Sequence, residues 1–180
     1  MTHGALGPNG LALCGDGEES LGVATVFYQM FESLGRADWQ REFPQNESPV
    51  TLAVGSHFVA VSTTANYVRI FSEAGMQSAV ISLAAPCVAL VGQSSFLTAV
   101  YHNGLPFAGN ANLSYTMWNV AQKRTLIEKA DLPISHESRL EWIGYSEDDV
   151  RALNFILFFN SQFFYSLLLI AQNLFCEFGD

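Results

Sequence analysis

A short strand pattern that begins again after a fixed interval constrains this chain most. Residues 49–55 read PVTLAVG and residues 86–92 read PCVALVG, sharing Pro, Val and Gly at an offset of 37 residues. Each is followed by a second apolar run, Phe58-Val59-Ala60-Val61 and Phe96-Leu97-Thr98-Ala99-Val100. The runs are short, bounded by turn residues and rich in β-branched side chains, so they read as strands. Self-similarity at about 40 residues, built from short strands, marks a repeated four-stranded sheet such as a propeller blade. One such sheet cannot bury both of its faces. Radial stacking covers the faces and leaves only short edges.

The remaining strands follow from that frame. The first full repeat predicts strands at 50–54, 58–62, 67–71 and 79–83, with turns at Ser56-His57 and at Ser72-Glu73-Ala74-Gly75. The second predicts strands at 88–91, 96–101, 113–120 and 124–127, interrupted by a Gly-, Asn- and Pro-rich segment at 102–112. Trp118-Asn119 sits where a WD repeat carries its Trp-Asp pair. Residues 139–144 open a third repeat, Ile143-Gly144 echoing Val54-Gly55 and Val91-Gly92. Upstream, residues 23–31 read as a strand. Trp39, Arg41 and Phe43 alternate with polar neighbours, so one face there is buried and one is wet. Residues 11–14 are expected as the second strand of a blade whose first strand is missing, after a loop-like start at 1–10. The fold class is therefore all-β: an incomplete β-propeller of four-stranded antiparallel blades, roughly three to four of them, over residues 1–150.

Residues 151–180 break the pattern. No charged residue occurs from 152 to 175, and residues 155–175 read FILFFNSQFFYSLLLIAQNLF. The length suits a helix and is sufficient for a membrane span, but Asn160, Gln162, Gln172 and Asn173 interrupt it and no basic residue flanks its end. Residues 151–180 are thus set apart as an apolar, helical tail. Three origins fit it: a membrane anchor, a helix covering an open sheet face, or foreign sequence joined by alternative splicing or a wrong gene model. Membrane contact enters the reading only through this tail.

Composition excludes some functions. Seventeen acidic against eight basic residues leave a net charge of −9, and the basic residues do not cluster. That balance opposes direct binding to a phosphate backbone. Three widely spaced cysteines, Cys14, Cys87 and Cys176, contain no CxxC pair and suit buried thiols in a reducing compartment. His3, His57, His102 and His136 lack metal-ligand spacing. The turn at 15–20 (GDGEES) lacks the third glycine of a dinucleotide loop, and its acids would repel phosphate. Gln93-Ser94-Ser95 does not form a nucleophile elbow, and Glu147-Asp148-Asp149 reads as a solvated turn. No catalytic, cofactor-binding or metal residue is assigned. The reading is of a non-catalytic interaction protein without a cofactor, with its partner-binding residues unspecified.

An ordered set of short motifs resembles one family. Phe31-Glu32-Ser33 with Asp38-Trp39 comes first, then Val68-Arg69-Ile70-Phe71-Ser72, Gly75, Gln77 and Val80-Ile81-Ser82-Leu83. Val100-Tyr101-His102-Asn103-Gly104, Asp131-Leu132-Pro133-Ile134 and Leu140-Glu141-Trp142-Ile143-Gly144-Tyr145-Ser146 continue it. Together these residues resemble the middle β-propeller of the chromosome transmission fidelity, minichromosome loss, or WD-repeat and HMG-box DNA-binding family, the replication-fork hub. The resemblance implies a six-bladed propeller that takes part in a homotrimer. It also implies a nuclear scaffold linking the replicative helicase to DNA polymerase α in chromosome replication, cohesion and repair. Here it covers a piece of that propeller, about residues 8–148, so the product is expected to be truncated. The alternative reading is a membrane-tethered β-repeat interaction protein anchored by residues 152–176.

Overall fold

A computed structural model describes residues 3–16, 22–31, 38–104, 112–134, 138–145, 152–159 and 164–170. The regular elements among them are all β-strands, arranged in four antiparallel sheets. The first sheet runs in order β1 (His3–Leu6), β2 (Gly10–Gly15), β3 (Thr25–Met30) and β4 (Trp39–Glu42). The second is β5 (Pro49–Val54), β6 (Phe58–Thr63), β7 (Tyr67–Ser72) and β8 (Gln77–Ser82). The third is β9 (Cys87–Gln93), β10 (Phe96–His102), β11 (Leu113–Asn119) and β12 (Arg124–Asp131). The fourth has β13 (Ser138–Tyr145), β14 (Ala152–Phe159) and β15 (Phe164–Ile170).

Within each sheet the strands follow chain order as a meander. The first strands of successive sheets touch: β1 meets β5, β5 meets β9, and β9 meets β13. That arrangement places them innermost and the fourth strands outermost, as in a propeller. At Gly92 in β9 an added Cβ would lie 2.9 Å from the Val54 carbonyl oxygen, so only glycine lets the two inner strands approach so closely.

Burial explains the sequence patterns. All six residues of β6 are buried because both faces of that sheet are covered. Its sequence FVAVST therefore reads as a run rather than an alternation. One face, with Leu52, Val54, Val59, Val61 and Phe71, packs on Ala12, Cys14, Val26, Tyr28 and Trp39 of the first sheet. The other, with Ala53, Phe58, Ala60, Val68 and Ile70, packs on Leu90, Leu97 and Trp118 of the third. A third cluster joins Val100, Tyr115 and Met117 to Ile143 and Tyr145. Each fully buried valine contributes about 2 kcal/mol of transfer free energy, so the seams between sheets are the hydrophobic core.

Two expectations are corrected. The first sheet does have its first strand: His3–Leu6 pairs with β2 in register His3↔Cys14 to Leu6↔Leu11. Gly4, Gly7, Pro8 and Gly10 make that stretch look like loop, but the edge of β2 supplies its ladder partners. The tail is not helical where it is described. Residues 152–159 pair with β13, from Ser138↔Phe159 to Tyr145↔Leu153, and 164–170 pair with β14. Aromatic and β-branched residues suit a strand, and the β13 edge offers them backbone partners that a lone helix does not need. Among the described residues no helix is long and apolar enough to cross a membrane.

Candidate functional site

The distinctive surface lies along the outer seams between blades. At the first seam, Trp39 at the start of β4 reaches across to the β7–β8 turn of the next blade. Its indole Nε1 donates to the Glu73 carbonyl at 2.8 Å, and its ring lies 5.7 Å from Phe71 and 5.6 Å from Tyr28. Arg41, two residues on, donates from Nε to the Gly75 carbonyl at 2.8 Å. Gly75 has φ +75, and a Cβ there would meet the Trp39 ring at 2.7 Å. The turn is thus shaped to receive the indole. Asn9 completes the clasp, its Nδ2 donating to the Ser56 carbonyl at 2.7 Å and to Glu73 Oε1 at 2.9 Å.

Trp39 and Arg41 rim a cleft of about 830 Å³ with Asp38, His57, Ser72 and Glu73 on its walls. His57 Nδ1 lies 3.4 Å from Glu73 Oε2. Ser72 Oγ accepts from the Met76 amide at 3.3 Å, so its oxygen caps a turn. The cleft carries charges of both signs.

The second seam has the same placement and a different lining. A groove of about 370 Å³ runs between β8 and the turn joining β11 to β12. Ile70, Ala79, Ile81, Trp118 and Val120 form its apolar walls, and Lys123 and Arg124 stand at its rim.

Elsewhere polar groups are used structurally. Arg69 lies in the middle of β7 and donates from Nε and Nη2 to the two carboxylate oxygens of Glu47, each at 2.7 Å. Glu47 is 6% exposed and Arg69 is 13% exposed. The Arg69 hydrogen bonds hold the Glu47 carboxyl below its ordinary range despite burial. Tyr145 Oη and Thr98 Oγ1 are 2.6 Å apart across the third seam, and burial pushes the phenol up. Cys14 and Cys87 are buried thiols outside any disulfide, each pushed up to about 11 chiefly by burial.

The residues weighed from sequence as site candidates are scattered. Asp16 is exposed at the end of β2, and the acids after it lie outside the described residues, as do His136, Glu147–Asp149 and Cys176. Ser94 occupies a turn with φ 51, and its carbonyl accepts from the Ser56 amide at 2.8 Å. His3 and His102 are at strand ends on opposite sides of the chain's sheet order. Among the described residues no three His, Cys, Asp or Glu side chains converge as metal ligands. Trp118-Asn119 does mark a blade: Trp118 packs into the second seam, and Asn119 Oδ1 accepts from the Gln122 amide at 3.0 Å. Sequence reading missed the Trp39 clasp and the second-seam groove. The signal available was Trp39 on the buried face of an alternating strand.

Stacked antiparallel meanders whose first strands touch one another define a β-propeller repeat protein. Comparison with known proteins supports that class and narrows it. The solved structure of HIRA(644-1017) superposes with a TM-score of 0.55 over 82% of this chain and 44% of that one, at 13% identity, a likeness of fold. The family described as minichromosome loss protein, Mcl1, middle region, matches residues 1–154, and this chain belongs to it. WD repeat and HMG-box DNA-binding protein 1 of Homo sapiens is 35% identical over 112 residues, covering 62% of this chain and 10% of the relative. Protein ENHANCER OF LHP1 1 of Arabidopsis thaliana is 34% identical over 134 residues, covering 73% and 14%. Minichromosome loss protein 1 of Schizosaccharomyces pombe is 29% identical over 133 residues, covering 72% and 16%. The chain therefore spans between a tenth and a sixth of the length of these relatives.

Proposed function

We propose that this chain acts as a non-catalytic scaffold domain of a nuclear replication-fork hub. In that role it contributes to linking the replicative helicase and DNA polymerase α during chromosome replication, cohesion and repair. The observation that carries the reading is membership of the minichromosome loss middle-region family over residues 1–154. The propeller-like stack fits it, since such folds present seams and edges to partners without needing a reaction centre. Direct DNA binding by this chain is not part of the proposal, because a net charge of −9 opposes a phosphate backbone. In the full-length setting the domain would contribute to a homotrimer. Residues 1–150 are proposed as the propeller part and 151–180 as an apolar segment whose described strands extend the fourth sheet.

The test is co-precipitation of the tagged full chain from nuclear extract of replicating cells. Enrichment of the replicative helicase or polymerase α over a tag-only control is expected. Exclusion of the chain from the nucleus, with neither partner enriched, would sink the reading.

A further inference from the structure

The blades repeat with one side chain changed, and the change leaves a gap. In the first blade, β3 pairs with β4 from Thr25↔Glu42 to Tyr28↔Trp39. In the second, β7 pairs with β8 in the matching register from Tyr67↔Ser82 to Ile70↔Ala79. Tyr28 and Ile70 each face the following blade. Ala79 therefore stands where Trp39 stands one blade earlier. The surface that Trp39 covers repeats as well. Phe71 is paired with Val59, and Trp118 with Leu97, at the same step of the meander. At the first seam Trp39 stacks at 5.7 Å on Phe71. At the second, Trp118 lines an open groove whose opposite wall is built from Ile70 and residues 78–81, with the small Ala79 at the position of Trp39.

We infer that this groove docks an extended, acidic peptide segment of a partner protein that inserts one aromatic side chain above Ala79. Three observations fix that occupant. The first seam shows an indole lodged at this register position against the aromatic residue of the next blade. Next, the rim is basic in an acidic protein. Lys123 and Arg124 line the groove, no carboxylate does, and among the described residues neither makes an ion pair. An acidic segment is complementary to that rim and a basic one is repelled. Finally, β8 is the last strand of its sheet and Gln77–Val80 are exposed. Its free backbone edge pairs with an extended segment, which sets the direction in which the aromatic anchor enters. At about 370 Å³ the groove lies near the lower end of small-ligand pockets, so it takes one anchor residue.

The inference stands apart from the replication role, because its test uses a peptide and no replication partner. A fluorescein-labelled peptide, Glu-Glu-Trp-Thr-Glu-Val, is titrated into the full chain and followed by anisotropy. Saturable binding that weakens with salt is expected. Ala79→Trp, which fills the gap as Trp39 does, should weaken it at least about tenfold. Lys123→Glu with Arg124→Glu, both exposed where the turn meets β12, should weaken it similarly and flatten the salt dependence. The peptide with Trp replaced by Ala should bind about tenfold more weakly. Circular dichroism of each variant checks that the sheets persist, and the exposed-turn variant keeps the test standing if Ala79→Trp misfolds. Absence of saturable binding up to about 1 mM overturns the proposal. So does equal affinity of either variant or of the Trp-free peptide. Concentration-dependent dimerisation that Ala79→Trp abolishes, with no peptide binding, would instead put a second copy of the chain in the groove and also overturn it.

Discussion

Glu47 and Arg69 carry the clearest consequence at the scale of single residues. Both are largely buried, and each satisfies the other through two hydrogen bonds of 2.7 Å. A buried charge that loses its partner retains its desolvation cost, so Glu47→Gln should destabilise the fold by about 2 kcal/mol. The sign of the pH dependence follows from the lowered native carboxyl. The pair contributes fully above the ordinary glutamate range, about pH 4. Its contribution is lost as pH falls through the lower native value. Urea melts of wild type and Glu47→Gln should therefore differ most near neutrality and converge in acid, and a gap that widens in acid would contradict this account. Sequence showed half of the pair. An arginine inside Tyr67-Val68-Arg69-Ile70-Phe71 is anomalous on a buried strand and calls for an acid. Spacing alone does not say which of 17 acids answers it. The one that does lies in the connection at 44–48, in a stretch that otherwise looks like solvated linker.

Among the elements, the β7–β8 turn does the most for its size. It receives Trp39 at one carbonyl and Arg41 at another, and Gly75 holds it open. Gly75→Ala imposes a left-handed backbone on an L-residue, about 1–2 kcal/mol, and pushes a methyl into an indole 2.7 Å away. The expected loss is about 2–3 kcal/mol in total, read as a lower urea midpoint with an unchanged slope. A midpoint equal to wild type would mean that the clasp does not hold the seam. The element pattern was legible over most of the chain, because period-two alternation and turn residues are local. It failed at His3–Leu6, Ala152–Phe159 and Phe164–Ile170, where the chain's own composition suggests loop or helix. In both places a neighbouring strand edge decides the outcome, and no local window contains it. The groove at the second seam was illegible for a related reason. Ala79 is unremarkable until register places it opposite Ile70 and in line with Trp39.

For the whole molecule, the stack of sheets leaves one apolar face of the first blade without a neighbour among the described residues. Ala5, Ala12 and Tyr28 face the second blade, and the alternate positions Leu6, Leu11, Leu13 and Phe27 face the other way. Leu6 is 75% exposed, and the other three are only partly covered. A contiguous apolar sheet face favours association. The full chain should sediment with concentration-dependent mass, and Phe27→Glu should shift it towards monomer without lowering strand content. A chain that is monomeric at every concentration would show that this face is covered.

The three tryptophans of the sequence fall at successive depths along the stack. Trp39 is buried at the first seam and Trp118 at the second, while Trp142 in β13 is half exposed. Trp39 and Trp118 each sense the polarity of a different joint, while Trp142 already meets water, so emission wavelength becomes a positional signal. With two of the three replaced by phenylalanine, the remaining one reports when its own joint admits water. The molecule thus carries built-in optical markers for the order in which its blades separate.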